Sequence, residues 1–253
     1  VSRFAPPLSL RPRPDGALPG TAMVLAAGIG KRMRPLTATR PKPLVEVAGK
    51  PLLDHVFDRL RAAGIGKVVV NVHYLADALE AHVRRRASDL DIVISDERAE
   101  LLETGGGLAK AAALIDEDPF FAINADNLWV DGPVDTLQLL ARRWDEATMD
   151  ALLLVVPLAR AHCHKGPGDF HMDAEGRMVR RKPNRVAPFV FTGVQLVSKR
   201  LLADAPQGAF STNVFWDRAI EKGRLYGFVH QGLWADVGTP GAIPKAEALI
   251  GNE

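Results

Sequence analysis

A short apolar run, Ala22-Met-Val-Leu-Ala-Ala27, breaks into Gly28-Ile-Gly30 and then into the basic stretch Lys31-Arg-Met-Arg-Pro-Leu-Thr37. An apolar run of this length ending in glycines reads as a buried strand entering a loop. Downstream the period changes: Pro51 opens a helix whose Leu52, Leu53, Val56, Phe57 and Leu60 share one face before Gly64 stops it. The alternation repeats with strand-like 68–72, helical 76–86, strand-like 92–95, helical 108–115 and strand-like 120–124. A helical stretch, 134–144, and an apolar run, 151–156, continue it. Strands that alternate with helices imply βαβ units, so one parallel sheet is expected to organise residues 22–156.

Upstream, residues 1–20 hold Pro6, Pro7, Pro12, Pro14, Pro19 and two glycines but no apolar period, which predicts a flexible Pro-rich extension. After Pro157 the texture differs. His162-Cys-His164 and Gly166-Pro-Gly168 are followed by Asp173-Ala-Glu-Gly176 between short runs, the pattern of a hairpin. A strand over 189–196, a helix over 213–222 and a terminal helix over 241–250 complete a mixed or antiparallel extension. With no linker-like stretch between the halves, residues 21–253 are expected to form one unit.

Composition narrows the function classes. The chain has 253 residues, enough to build a core without disulfides or structural metal, and its single Cys163 cannot form an intramolecular disulfide. With 32 basic against 30 acidic side chains, the charge of +2 is not concentrated in one patch. The basic clusters Arg84-Arg-Arg86 and Arg180-Arg-Lys182 are short and poor in aromatics, so nucleic acid is not an expected partner. No apolar run is long enough for a membrane helix, and no apolar leader with a small-residue cleavage site precedes the first strand, so the expected location is the cytoplasm.

The glycine turn after the first strand lets backbone amides approach an anion. Two familiar phosphate loops do not fit it. A Walker loop fails because Leu25 stands where its first glycine belongs and Arg32 follows Lys31; the dinucleotide fingerprint fails because Met33 replaces its third glycine. The second failure also argues against a nicotinamide-dependent dehydrogenase. What remains is a turn with Lys31, Arg32, Arg34, Arg40 and Lys42 balanced only by Glu46, a cluster suited to a polyphosphate or simply a solvated basic loop. His162, Cys163 and His164 are adjacent and cannot all point at one metal, and no base is identifiable for a nucleophilic Cys163.

The pattern Gly28-x-Gly30-x-Arg32-Met33-x-Pro35-Leu36-Thr37, followed by Pro41-Lys42-Pro43-Leu44, resembles the signature of the sugar-1-phosphate nucleotidyltransferases, or nucleotide-sugar pyrophosphorylases. The resemblance continues through Glu103-Thr-Gly-Gly-Gly107, Asn124-Ala-Asp126 and Trp234-Ala-Asp-Val-Gly238, in order, over residues 22–250. It implies an α/β fold with a Rossmann-like, mostly parallel sheet flanked by helices and a smaller mixed or antiparallel extension. The nucleotide-binding part would be 21–156 and the sugar-binding part 157–253. The short chain, the Glu-Thr-Gly-Gly-Gly stretch and Gly168-Asp-Phe170 are most similar to the bacterial branch that joins UTP to N-acetylmuramate 1-phosphate. Short enzymes that join GTP to mannose 1-phosphate are the alternative, and a noncatalytic nucleotide-sugar sensor is a more remote one.

In this family an oxygen of the sugar phosphate attacks the α-phosphorus of a nucleoside triphosphate and pyrophosphate leaves. Such a step is mainly positioning and charge stabilisation. By resemblance, Arg32 neutralises the pyrophosphate and Lys42 holds the α-phosphate and the sugar phosphate. Leu25, Ala26, Ala27, Gly28, Gly30 and Lys31, with Glu103, Gly105, Gly106 and Asn124, hold the nucleotide. Glycines 105–107 are expected to precede a helix and turn their amides to the base. Asp126, at the carboxyl edge of its strand, and Asp236 are the expected ligands of Mg²⁺, which takes one or two carboxylates with phosphate and water. Gly168, Asp169 and Thr192 are the expected sugar contacts. Lys182 is a further candidate, although Arg181 stands where related enzymes carry a glutamate.

Overall fold

A computed structural model describes residues 18–251. The chain enters through strand β1 (Thr21–Leu25), whose residues are nearly all buried, and leaves through a basic loop into the short strands β2 (Glu46–Val47) and β3 (Lys50–Pro51). Helix α1 (Leu52–Ala63) follows; its Leu52, Leu53, Val56, Phe57 and Leu60 are buried, and Gly64 ends it in the left-handed conformation at φ 85°. Then come β4 (Lys67–Val72), α2 (Ala76–Arg86), β5 (Asp91–Asp96), α3 (Glu103–Ala111), β6 (Phe120–Asn124), β7 (Asn127–Val130) and α4 (Thr136–Arg143). The remainder comprises β8 (Ala151–Pro157), the hairpin β9 (Phe170–Met172) and β10 (Met178–Arg180), β11 (Phe189–Val197), α5 (Asn213–Glu221), β12 (Leu225–Val229), β13 (Leu233–Asp236) and α6 (Ile243–Ile250).

The main sheet runs β5-β4-β1-β6-β11-β8-β12, with the β9–β10 hairpin continuing from the first residue of β11. Strands β5, β4, β1 and β6 are parallel, β11 is antiparallel to both β6 and β8, and β12 is parallel to β8. Helices cover both faces. Apolar residues of α1, α2 and α4 pack on one, and those of α3 and α5 on the other. The sheet expected over 22–156 is therefore completed from the second half of the chain, because β11 lies between β6 and β8.

Two expectations change. Most of the expected Pro-rich extension, residues 1–17, lies outside the described residues; Leu18 packs on the core, Pro19 is buried, and the Gly20 carbonyl accepts from Gly66 and Lys67. The helix expected from residue 108 begins at Glu103, so glycines 105–107 sit inside α3 rather than before it.

A separate two-stranded ribbon, β7 with β13, was not expected from sequence. His230 staples it. Its Nε2 lies 3.1 Å from the Val130 carbonyl and 3.0 Å from that of Leu233, so Nε2 carries the proton, and Nδ1 faces the Thr136 hydroxyl at 3.4 Å. Burial holds its pKa below the ordinary histidine value, against the opposing influence of the two carbonyls and Asp131. A histidine with a lowered folded pKa contributes stability that is complete above its unfolded pKa, about 6.5, and is lost as the pH falls. The melting temperature should therefore drop between about pH 7 and pH 5, and less steeply in His230→Gln, which keeps a donor but cannot titrate there. Parallel pH profiles for the two proteins would refute this role.

Candidate active site

Chain order leaves β1 toward β4 on one side and returns to β6 on the other, so a crevice opens beyond the carboxyl ends of β1 and β6. A mainly apolar cavity of about 370 Å³ occupies it. Leu25, Ala26, Ala27 and Gly28 form one wall, Asn124, Ala125 and Asp126 another, and Glu103 and Thr104 of α3 a third, with Lys42 and Asn71 completing it. A second cavity of about 180 Å³ is polar and is lined by Arg32, Asn127, His164, Asp169, Thr192, Trp234 and Asp236. Asn124 and Asp126 line both, so the two spaces adjoin at the end of β6.

The β7–β13 ribbon unites the two expected metal ligands. Asp236 pairs in register with Asn127, the residue after Asp126, and paired strands set such positions within about 6 Å. Trp234 anchors the ribbon by donating its indole N–H to Asn127 Oδ1 at 2.7 Å and to the Thr192 carbonyl at 3.0 Å. Gly238 has no side chain because its neighbours occupy the space: a Cβ there would lie 2.9 Å from Asp236 Oδ1 and 3.2 Å from Arg32 Nη1. The ammonium of Lys42, mostly buried, pairs with Asp126 Oδ2. Among the described residues no three or more His, Cys, Asp or Glu side chains form a metal cluster. Two carboxylates beside a space for phosphate and water nonetheless fit Mg²⁺, whose octahedron is seldom filled by protein alone.

Several expected residues are placed differently. Gly30 and Lys31 line neither cavity. Gly30 adopts φ 67°, and a Cβ on it would lie 2.8 Å from Lys42 Cβ, so its part is to let the loop pass the lysine stem. The Gly105 and Gly106 amides do not face the cavity, since both donate to the Phe210 carbonyl, at 2.8 and 3.1 Å. These glycines give clearance: a Cβ on Gly105 would fall 2.6 Å from the Phe210 ring and one on Gly106 2.5 Å from the Gly208 carbonyl. Glu103, exposed at the mouth, has a left-handed φ of 58°, strained for a residue with a side chain.

In the polar cavity, Asp169 Oδ2 accepts from the Phe191 amide at 2.9 Å, and Oδ1 has no protein donor among the described residues. Gly168 adopts φ 80° and lies so close to the Ala187 carbonyl that any Cβ would collide with it. The Thr192 hydroxyl is spent within the sheet, donating to the Leu154 carbonyl at 2.9 Å. Thr192, Gly193 and Val194 face the single residue Leu154 in a bulge between Phe191 and Gln195, and a Cβ on Gly193 would lie 2.9 Å from Asn124 Nδ2. Lys182 faces a separate surface groove with His171 and Arg185 rather than either cavity of the crevice.

Other residues near the site were given no role by sequence. His164, set aside there as a metal ligand with its neighbours, places Nδ1 3.5 Å from Asp236 Oδ2, and its buried Nε2 has no hydrogen-bond partner among the described residues. Asn71 interrupts the apolar run Val68-Val-Val-Asn-Val72, a polar residue on a buried strand that could have drawn notice; Glu97, two residues beyond the apolar stretch 92–95, gave a fainter signal.

The family model described as Nucleotidyl transferase matches residues 21–253, and the chain belongs to this family. It is an enzyme of the sugar-phosphate nucleotidyltransferase type. The chain is 46% identical to N-acetylmuramate alpha-1-phosphate uridylyltransferase of Caulobacter vibrioides, over 92% of its own length and 97% of the relative's. It is 34% identical to the mannose-1-phosphate guanylyltransferase catalytic subunit beta of Danio rerio, over 87% of this chain but only 61% of that one. The fold superimposes on the inositol-1-phosphate CTP transferase from T. maritima with a TM-score of 0.75 at 18% identity, covering 93% and 96% of the two chains.

Clearance separates glycines that look alike in sequence. Gly105→Ala must displace the Phe210 segment and should destabilise the protein by about 1–3 kcal/mol in denaturant titration. Gly28→Ala meets nothing within 4 Å and should leave stability within about 0.5 kcal/mol of the parent. Equal effects at the two positions would contradict the packing described.

Proposed function

We propose that the protein condenses UTP with N-acetylmuramate α-1-phosphate, giving the UDP-sugar and pyrophosphate. The observation that carries this reading is the meeting of an apolar cavity and a polar one at Asp126, the partner of Lys42, in a chain 46% identical to a uridylyltransferase of that specificity along nearly its whole length. The apolar cavity takes the base and ribose between the Leu25–Gly28 loop and α3. The polar cavity takes the sugar, with Oδ1 of Asp169 as an acceptor for a hydroxyl or amide proton. Mannose 1-phosphate with GTP is the alternative, supported by a relative of lower identity.

A phosphate oxygen of the sugar 1-phosphate attacks the α-phosphorus, the bond from that phosphorus to the bridging oxygen breaks, and pyrophosphate carries away the electron pair. No proton need move, so the residues act by placing charge. Lys42, which lines the apolar cavity and pairs with Asp126 at the junction, holds the α-phosphate oxygen and the attacking phosphate together. Arg32, across Gly238 from Asp236, offsets the charge that grows on the departing pyrophosphate. Asp126 and Asp236 would hold Mg²⁺, which supplies Lewis-acid polarisation of the phosphate oxygens when bound.

Pyrophosphate release measured with Mg²⁺ and a matrix of UTP, GTP, CTP, dTTP and ATP against N-acetylmuramate, N-acetylglucosamine, glucose and mannose 1-phosphates tests the assignment. UTP with N-acetylmuramate 1-phosphate should turn over fastest; a preference for GTP and mannose 1-phosphate would move the chain to the alternative. Nucleotide binding without turnover anywhere in the matrix would favour the noncatalytic sensor. Lys42→Met should lower kcat by about 10²–10³ through loss of one charge-stabilising donor. Asp126→Asn should lower it comparably, and near-normal turnover in that variant would remove Asp126 from the metal site.

A further inference from the structure

At the edge of the apolar cavity, where Asn71 forms part of the lining, lies a buried polar pair to which no role has been given. Asn71, near the end of β4, and Glu97, just beyond β5, are 2% and 1% exposed. Asn71 Oδ1 accepts from the Ala26 amide at 2.6 Å and the Ala27 amide at 3.3 Å. Its Nδ2 donates to Glu97 Oε1 at 2.7 Å, and Glu97 Oε2 accepts from the Leu102 amide at 3.2 Å. One chain of hydrogen bonds thus runs from the loop after β1, through β4 and the end of β5, to the entry of α3. Its two ends are the two walls between which the nucleotide is proposed to sit.

Gly107 shows that the fold reserves room for this chain. A Cβ at that position would lie 2.8 Å from Asn71 Nδ2 and 2.8 Å from Glu97 Oε1. The three successive glycines of α3 are accounted for by close approach: Gly105 and Gly106 to the 208–211 segment, Gly107 to the Asn71–Glu97 pair. Glycine inside a helix is unfavourable relative to alanine, so three in succession require a compensating contact.

We infer that Asn71 and Glu97 are positioning residues for the nucleotide, which set the separation and orientation of the Ala26–Ala27 loop and the start of α3. Both Ala26 and Ala27 amides point back at Asn71 Oδ1, which fixes the direction of the peptide planes that line the cavity. The Leu102 bond to Glu97 holds the residue that precedes the strained Glu103. Loss of either partner leaves buried amides unpaired and frees the two walls to move apart; a displacement of about 1 Å can cost 10²-fold in such a site. Neither β4, β5 nor α3 contributes to the lining of the sugar cavity, so its affinity should be spared. This inference rests on the assignment of the apolar cavity to the nucleotide.

The test is calorimetric titration of UTP with Mg²⁺ into the full chain and its variants, with KM for the sugar 1-phosphate and the melting temperature measured in parallel. Asn71→Ala should weaken UTP binding about 10- to 100-fold while KM for N-acetylmuramate 1-phosphate changes less than about 2-fold. Asn71→Asp sets two carboxylates face to face and should be similarly impaired. The double variant Asn71→Asp with Glu97→Gln reverses the polarity of the link but keeps every hydrogen bond. The new carboxylate on β4 accepts from the loop amides and from the new carboxamide beyond β5, whose own oxygen accepts from Leu102. This variant should regain UTP affinity to within about 3-fold of the parent. If Asn71→Ala does not fold, the comparison of Asn71→Asp with the double variant decides. A double variant no better than Asn71→Asp, or UTP affinity and sugar KM shifting together with the melting temperature, would overturn the inference. Failure of the unaltered chain to bind UTP would instead refute the proposed function and the inference with it. UTP binding without turnover would refute the activity alone, and the binding comparison would still decide the role of the pair.

Discussion

A strand that lies parallel to both neighbours, with the chain departing on one side and returning on the other, cannot have its carboxyl end covered by its own connections. Strand β1 is in that position between β4 and β6, and the crevice at its end follows from connectivity alone. Most of the residues expected to act on substrate are arranged around this opening. The Leu25–Gly28 loop turns away to one side, Asn124 to Asp126 end the opposite wall, and the start of α3 supplies a third. A ribbon that does not belong to the main sheet brings Asp236 to the same edge, and the loop after β8, bridged to β13 at His162, brings His164 beside it.

Absence of side chains does as much to shape this site as their presence. Gly30 lets the basic loop pass Lys42, Gly238 gives space to Asp236 and Arg32, and Gly105 to Gly107 let α3 approach its neighbours. None of these five glycines lines either cavity of the crevice. Their common effect is to bring backbone or charged groups closer than a Cβ would permit. The basic loop can then hold a cation beside a carboxylate, and α3 can sit against a buried carboxamide. A sequence motif of glycines that looks like a ligand cradle is here mostly a record of packing between elements.

The sheet and its helices were legible because their signals are local. Helix α1 is bracketed by Pro51 and Gly64, and the buried parallel strands are short apolar runs that need no partner to be recognised. The place of Asp126 at the end of a strand was legible for the same reason, since it stands just after such a run. The β7–β13 ribbon was not, since it joins residues about a hundred positions apart and each strand is only 4 residues long. The start of α3 was hidden because glycine disfavours helix, and only the Phe210 carbonyl and the packing around it reverse that preference. Thr192 and Lys182 carried the right chemistry for a sugar, but a bulge turns one inward to Leu154 and a loop sends the other to a different groove.

The insertion of β11 between β6 and β8 has a consequence for synthesis. When the ribosome has released the chain only through β8, strand β6 lacks a neighbour on one side and β8 has found neither of its final partners. Both are apolar segments with unsatisfied backbone edges, the kind of surface that attracts other nascent chains. The sheet closes only after residues 189–197 emerge, and β8 gains its second neighbour only with residues 225–229. Contacts of such sequence separation form slowly. A cell making this protein must shield a half-built sheet over the synthesis of about seventy residues, a demand placed on its chaperones by strand order rather than by the stability of the finished enzyme.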